Sequence, residues 1–161
     1  MRWFAYGMSI AVVLGVLLVA AGQAGLLAGT QPPGLGVHEG RLAAPALTPN
    51  SVSSQARLHP DNPQSETAYI APITFQGEPR LAMERLISVL RQTEGIRVVE
   101  QRPDYVYAQA NTKILKFTDD LEFWLDRSSN LIHMRSASRL GHSDLGTNRT
   151  RLEGIRVRYS S

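Results

Sequence analysis

The chain has no cysteine. A disulfide framework, a thiolate nucleophile, a Cys-based metal site and a lipoprotein anchor are all excluded by that one absence. It does not decide the redox compartment. Charge is the next scarcity. After Arg2 no charged side chain appears until Glu39, and from Trp3 to Gly29 only Tyr6, Ser9 and Gln23 are polar. A run of that length suffices for a bilayer-spanning helix, which needs about 20 apolar residues. The amino terminus and Arg2 favour an N-inside orientation, with the rest of the chain sent across the membrane. The expectation is a single-pass membrane protein, held through residues 3–29, with its C-terminal domain extracytoplasmic (periplasmic). A cleavable signal peptide is the rival: "GQA" ends at Ala24, and cleavage there would release the domain to the periplasm. The apolar run continues through Leu26 and Leu27, which favours the uncleaved anchor.

Residues 31–65, "QPPGLGVHEG" onward, are dominated by proline, glycine and small polar residues without either periodicity. This composition reads as a flexible tether, part of which could lie on the domain surface. No internal repeat is present. The expected organisation is an anchor or signal over 1–30, a tether over 31–65 and a globular domain over 66–161.

The globular part shows clear periodicities. "TAYIAPITF" (67–75) is β-branched and aromatic and reads as a first strand. In "GEPRLAMERLISVLRQTEG", Ala82, Leu86, Val89 and Leu90 fall at helical spacing, flanked by Met83 and Ile87,. Gly95 would end that helix as its C′ residue. "IRVVEQ" and "DYVYAQAN" are the next strands. Phe117, Leu121, Phe123 and Leu125 share one strand face, Arg127 to Asn130 form a polar turn, and "LIHMRSAS" returns. Pairing Asp126 with Leu131 sets Leu125 opposite Ile132, Phe123 opposite Met134, Leu121 opposite Ser136 and Asp119 opposite Ser138. The other face then pairs Trp124 with His133 and Glu122 with Arg135, an outward opposite-charge pair of modest value. "TNRTRLEGIRVRYSS" reads as a last helix with Leu152, Ile155 and Tyr159 as its stripe and Thr147 or Asn148 as its cap. The order β-α-β-β-β-β-α implies an α+β fold: an antiparallel sheet of about five strands with helices on one face, preceded by the N-terminal transmembrane or signal segment.

"PNSVSSQ" (49–55), "FTDDLEF" (117–123) and "RSASRLGHSDLGTNRTRLEGIR" (135–156) resemble the signatures of domain of unknown function 1499, a family of bacteria and plant chloroplasts. The resemblance covers residue 45 to the end. It implies no established activity, and it implies an N-terminal membrane segment or signal in many members. The family's first motif usually reads Cys-Pro-x-x-Pro-Asn-Cys. Pro45 and Ser51 stand at its cysteine positions, so a role needing thiols there does not carry over.

The basic excess lies late. Residues 133–161 hold six arginines against Asp144 and Glu153, whereas residues 1–132 hold 11 basic and 12 acidic side chains. Arg135, Arg139, Arg149 and Arg151 are mixed with Ser136, Ser138 and Asn148, a chemistry suited to carboxylate or phosphate. A helix N-terminus near Thr147 would add donors. The alternative is that the same arginines pair with Asp119, Asp144 and Glu153 and fasten a loop to the sheet. Asp119, Asp120, His142 and Asp144 are conceivable metal ligands, but Asp119 and Asp120 point to opposite faces and no spacing matches a template. Ser138, His142 and Asp144 could be imagined as a hydrolytic set, yet there is no G-x-S-x-G elbow. No nucleic-acid motif is present.

The sequence therefore points to a membrane-anchored module that is not an enzyme, has no cofactor and no metal, and binds a small anionic ligand or an envelope protein. The expected site is Asp119, Arg135, Ser136, Ser138, Arg139, Asp144, Asn148 and Arg149. A hydrolase using the same cluster, or a purely structural envelope protein, is the alternative.

Overall fold

The computed structural model describes residues 2–161, with side chains from Tyr6 onward. The side chains of Arg2, on which the expected orientation rests, and of Trp3, Phe4 and Ala5 lie outside the described ones. The apolar run forms helix α1 (Arg2–Gln23), of which Tyr6–Gln23 is long and apolar enough to cross a membrane. Its large side chains, from Tyr6 to Val19, are exposed.

The polar turn at Arg127–Asn130 organises the sheet. It joins β5 (Thr118–Asp126) to β6 (Leu131–Ser138) in the register read from the sequence, with Asp126 opposite Leu131 and Asp119 opposite Ser138. Asp126 accepts hydrogen bonds from the Ser128 and Ser129 hydroxyls at 2.6 Å each, which holds the turn and lowers its carboxyl to about 2. Outward from β5 lie β4 (Tyr105–Asn111) and β3 (Ile96–Gln101). Beyond β6, one edge position is shared by β1 (Ser51–Ser53) and β2 (Ile73–Thr74). All these pairings are antiparallel, in the order β1-β6-β5-β4-β3 with β2 beside β1 on β6. The antiparallel sheet, expected with about five strands, has six.

Helices α2 (Pro79–Gln92) and α3 (Thr147–Ser160) pack on one face. The core between them follows the predicted alternation. Leu121, Phe123 and Leu125 of β5, with Ile132 and Met134 of β6, meet Ala82, Met83, Leu86, Ile87 and Leu90 of α2 and Leu152, Ile155 and Tyr159 of α3.

Four local expectations are corrected. The stretch 67–75 is not one strand: Pro72 has no N–H for a ladder, and only Ile73–Thr74 pairs with β6, while Ala68 and Ile70 bond to Ser53,. Helix α2 is capped at Thr93, and Gly95 instead turns the chain into β3 at φ +78°. Neither Thr147 nor Asn148 caps α3. The N-cap is Gly146 at φ +81°, a left-handed geometry a side chain resists,. Finally, the Glu122–Arg135 pair has its predicted register but is buried, because its face of the sheet is covered.

The cover comes from the stretch expected as a tether. Leu35, Val37 and Leu42 pack against Tyr105, Tyr107 and Trp124 in a second apolar cluster. Gln55 fastens this arm to itself, accepting from the Leu42 N–H at 2.8 Å and donating to the Gly40 carbonyl at 3.1 Å. At the positions where the related motif carries cysteines, Pro45 is buried and the Ser51 hydroxyl accepts the Ala46 N–H at 2.8 Å. The arrangement is therefore helices, sheet and arm, in that order through the thickness of the module.

Leu42 is 1% exposed. Leu42→Ala is expected to destabilise the chain by about 2–5 kcal/mol in denaturant unfolding, the range for a buried leucine. An effect below about 0.5 kcal/mol, the size usual for a surface site, would show that the arm is not packed.

Candidate functional site

Strand alternation divides the expected cluster in two. Even-numbered residues of β5 and odd-numbered residues of β6 face the arm,. There Glu122 is fully buried and takes three donors: Arg135 Nη1 at 3.1 Å, the Tyr105 hydroxyl at 2.9 Å and the Gly36 N–H at 2.7 Å. Arg135 also reaches the Ala44 carbonyl of the arm at 3.3 Å. One turn of the pleat away, Arg139 grips Asp120 bidentately, Nη2 to Oδ1 at 2.7 Å and Nε to Oδ2 at 2.9 Å. The Tyr107 hydroxyl donates to the same Asp120 at 2.6 Å. Burial, and then the neighbouring Glu122, pushes the Tyr105 phenol well above its ordinary value. Burial and the bond to Asp120 push Tyr107 the same way. Both phenols are thus fixed as donors. The bond to Asp120 likewise raises Arg139.

The helix-facing side carries a separate network. Arg151 of α3 meets Asp119 at 2.7 Å. Asn148, one residue inside α3 and fully buried, has its carbonyl taken by the Ser136 hydroxyl and by Arg151 at 3.0 Å. Its amide donates to the Ser138 hydroxyl and to the Asn50 carbonyl, both at 3.0 Å. All four hydrogen bonds open to an asparagine side chain are made, so the site binds itself.

The α3 N-terminus is likewise occupied from within. Asp144 Oδ2 accepts the Asn148 N–H at 2.8 Å and Oδ1 accepts the Gly146 N–H at 3.1 Å. A carboxylate there satisfies donors and the helix dipole that an external anion would use. Arg149 turns to the backbone, donating to the Tyr69 carbonyl at 2.8 Å and the Thr67 carbonyl at 2.6 Å.

The eight expected site residues therefore do not form one cluster. Arg135 and Arg139 lie under the arm, Asp119, Ser136, Ser138, Asp144 and Asn148 lie on the helix side, and Arg149 lies apart. Of the pairings expected, Arg135 meets Glu122 and Asp119 meets an arginine, Arg151, whereas Arg139 is held by Asp120. The sequence reading missed Tyr105, Tyr107 and Asn50, and it weighed Asp120 only as a metal ligand. Tyr105 and Tyr107 alternate in β4 as Asp120 and Glu122 alternate in β5, and that matched period-2 pattern is the signal that joins them. His142 is exposed, while Ser138 and Asp144 are bonded to Asn148.

Three of the eight, Asp119, Ser138 and Asp144, border an open cleft of about 230 Å³. It lies between the β4–β5 loop and the β6–α3 loop. Phe117, Leu140 and Leu145 form its apolar wall, and the hydroxyl residues Thr112, Ser143 and Thr147 complete its rim.

Fold and geometry define a class: an α+β module in which buried ion pairs and an asparagine hub lock an N-terminal arm and two helices to an antiparallel sheet. The chain belongs to the family described as protein of unknown function (DUF1499), which matches residues 41–158. The match begins inside the arm, one residue before the buried Leu42. No curated protein and no solved structure matches the chain.

Two outcomes test these networks. Arg135→Met, which leaves Glu122 buried without its cation, is expected to cost about 3–5 kcal/mol of stability. The double variant Glu122→Gln/Arg135→Met recovers part of that loss, since a glutamine oxygen keeps the Tyr105 and Gly36 donors; equal losses in denaturant titration would refute this account of the pair. The second outcome concerns pH. Burial lowers His133 below its usual 6.5, against an opposing pull from Asp126, and burial lowers His59 as well. His133 stacks on Trp124, and its Nδ1 lies 3.2 Å from the Ser54 hydroxyl, which already accepts the Met134 N–H. The folded state therefore binds fewer protons than the unfolded one. Stability is full above pH about 6.5 and falls as pH drops from there through the folded values. His133→Phe should flatten that slope in unfolding midpoints taken between pH 5 and 7.5, and an unchanged slope would exclude His133 as its source.

Proposed function

We propose that the chain is a membrane-anchored, extracytoplasmic binding module, periplasmic in a bacterial cell, and that it takes a small amphipathic ligand in the cleft beside the α3 N-terminus. The carrying observation is that Ser138 and Asp144, each bonded on one side to Asn148, also border an open cleft whose apolar wall is Phe117, Leu140 and Leu145. A volume of about 230 Å³ is below the roughly 300–1,000 Å³ of drug-sized sites, so the ligand is one ring or one short chain,.

Charge revises the ligand class. The carboxylates bordering the cleft are Asp119 and Asp144, and Arg151 is already committed to Asp119. An anion would meet the Asp144 carboxylate, which among the described residues has no ion-pair partner. A neutral or cationic polar head suits the Ser138 and Thr147 hydroxyls and the Asp144 carboxylate better.

Two contacts support anchoring over cleavage near Ala24. The Gln23 amide donates to the Ile114 carbonyl at 2.9 Å, and Gly22 lies against the Leu115 backbone. Cleavage after Ala24 would discard a helix end that is packed on the module.

The test is thermal unfolding of the full chain in nanodiscs, followed by tryptophan fluorescence, with short amines, small neutral amides, acetate and inorganic phosphate. Amines or amides at about 100 times Kd stabilise by roughly 2.7 kcal/mol. At this chain size that is about 2–4 °C per kcal/mol. Ser138→Ala and Leu145→Asp should both diminish the shift. Shifts with phosphate or acetate alone would reinstate the anionic reading, and no shift with any probe would favour a purely structural module.

A further inference from the structure

We propose that the end of the module around the exit of α1 rests on the bilayer, with Ile114, Leu140 and Leu145 in the headgroup–acyl boundary and Lys113 and Lys116 on lipid phosphates. The inference rests on the reading of α1 as a bilayer-spanning anchor.

The argument starts from length. Twenty-two residues at about 1.5 Å each give α1 roughly 33 Å, close to the roughly 30 Å hydrocarbon core,. Its last residue, Gln23, therefore emerges at the interface. The β4–β5 loop is held at that level by direct contact. Gln23 bonds to Ile114, and a Cβ built on Gly22 would fall 2.8 Å from the Leu115 carbonyl carbon, so the approach requires glycine,. The β6–α3 loop is drawn to the same place, because Gly29, just past α1, lies against Arg139 and Leu140. Leu145 borders the same cleft as Leu140.

The side chains presented there suit an interface. Ile114 is 63% exposed, Leu140 44% and Leu145 95%. Lys113 and Lys116 flank Ile114 and are the only two lysines of the chain. A lysine ammonium on a flexible stem sets its carbon chain along apolar surface and its charge in the headgroups. Lys113 meets Glu94 at 3.0 Å, but both side chains are more than three-quarters exposed, and such a surface pair is weak enough to yield to a lipid phosphate,. Among the described residues Lys116 has no ion-pair partner. The opposite end differs. The Arg127–Asn130 turn is polar and lies the length of the nine-residue β5 away, about 27 Å,.

The absence of cysteine makes the test direct. Single-cysteine variants Ile114→Cys, Leu145→Cys, Arg127→Cys and Val13→Cys of the full chain are labelled with a polarity-sensitive fluorophore. Each is reconstituted in nanodiscs of mixed phosphatidylcholine and phosphatidylglycerol. Probes at 114 and 145 are expected to be blue-shifted and several-fold less quenched by iodide than the probe at 127. Adding Lys113→Glu and Lys116→Glu should restore much of the iodide access at 114. The proposal is overturned if the probes at 114 and 145 are as accessible as that at 127. If Val13 is then still protected, docking fails and the anchor stands. If Val13 is accessible too, the anchor fails and docking falls with it.

Discussion

A carboxylate with no solvent exposure has to be answered by donors, and Glu122 is the point from which the architecture of this chain follows. It sits in the middle of the central strand on the face away from the helices. Its partners are a guanidinium from the neighbouring strand, a phenol from the strand on the other side and a backbone N–H from the arm. Removing any one would leave a buried polar atom short of a bond, at about 1–3 kcal/mol or more for a charged group. The arm therefore does more than cover the sheet. Gly36 and Ala44 complete the solvation of a charge pair that the strands alone leave unfinished. That requirement makes a proline- and glycine-rich segment part of the fold.

The same logic explains why a run rich in arginine is not an open basic surface. Guanidinium groups supply up to five donors, and this chain places carboxylates or carbonyls in front of them one by one. Asp120 takes Arg139, Asp119 takes Arg151, and the carbonyls of Thr67 and Tyr69 take Arg149. Each contact joins segments far apart in sequence. The stretches 49–55, 117–123 and 135–156 thus meet through paired strands and through Asn148, whose amide reaches Asn50 across 98 positions.

The legible parts of the fold were those governed by one local period. The β5–β6 hairpin could be read to the residue because a polar turn, a hydrophobic alternation and an opposite-charge pair all fix the same register. Helix α2 and the stripe Leu152, Ile155 and Tyr159 were legible for the same reason. What escaped was set by long-range complementarity. Nothing local in "SVS" announces a strand, because β1 exists only by pairing with Ser136 and its neighbours. Nothing local separates an outward Glu122–Arg135 pair from a buried one either, since the cover is supplied from some 90 residues upstream. The candidate site was legible in composition and not in arrangement: period-2 alternation divided it between two faces, and only Asp119, Ser138 and Asp144 came to the cleft.

Helix α1 and the module are also linked by geometry more than by tether length. A flexible linker would leave a domain free to sample many orientations above a membrane. Here the helix end is packed. Gly22 admits the Leu115 backbone at a distance no other residue would allow, and Gln23 adds a hydrogen bond beside it. Residues 24–30 then run past Arg139, whose Nη1 donates to the Gly29 carbonyl at 3.4 Å, directly into the arm that completes Glu122. One continuous chain path thus joins the N-terminal apolar helix, the clasp on Asp120 and the cover over the sheet. Pulling the helix end away from Leu115 would draw on the same arm whose N–H and carbonyl groups satisfy the buried pair, so the placement of helix α1 on the module and the integrity of its polar interior are physically coupled.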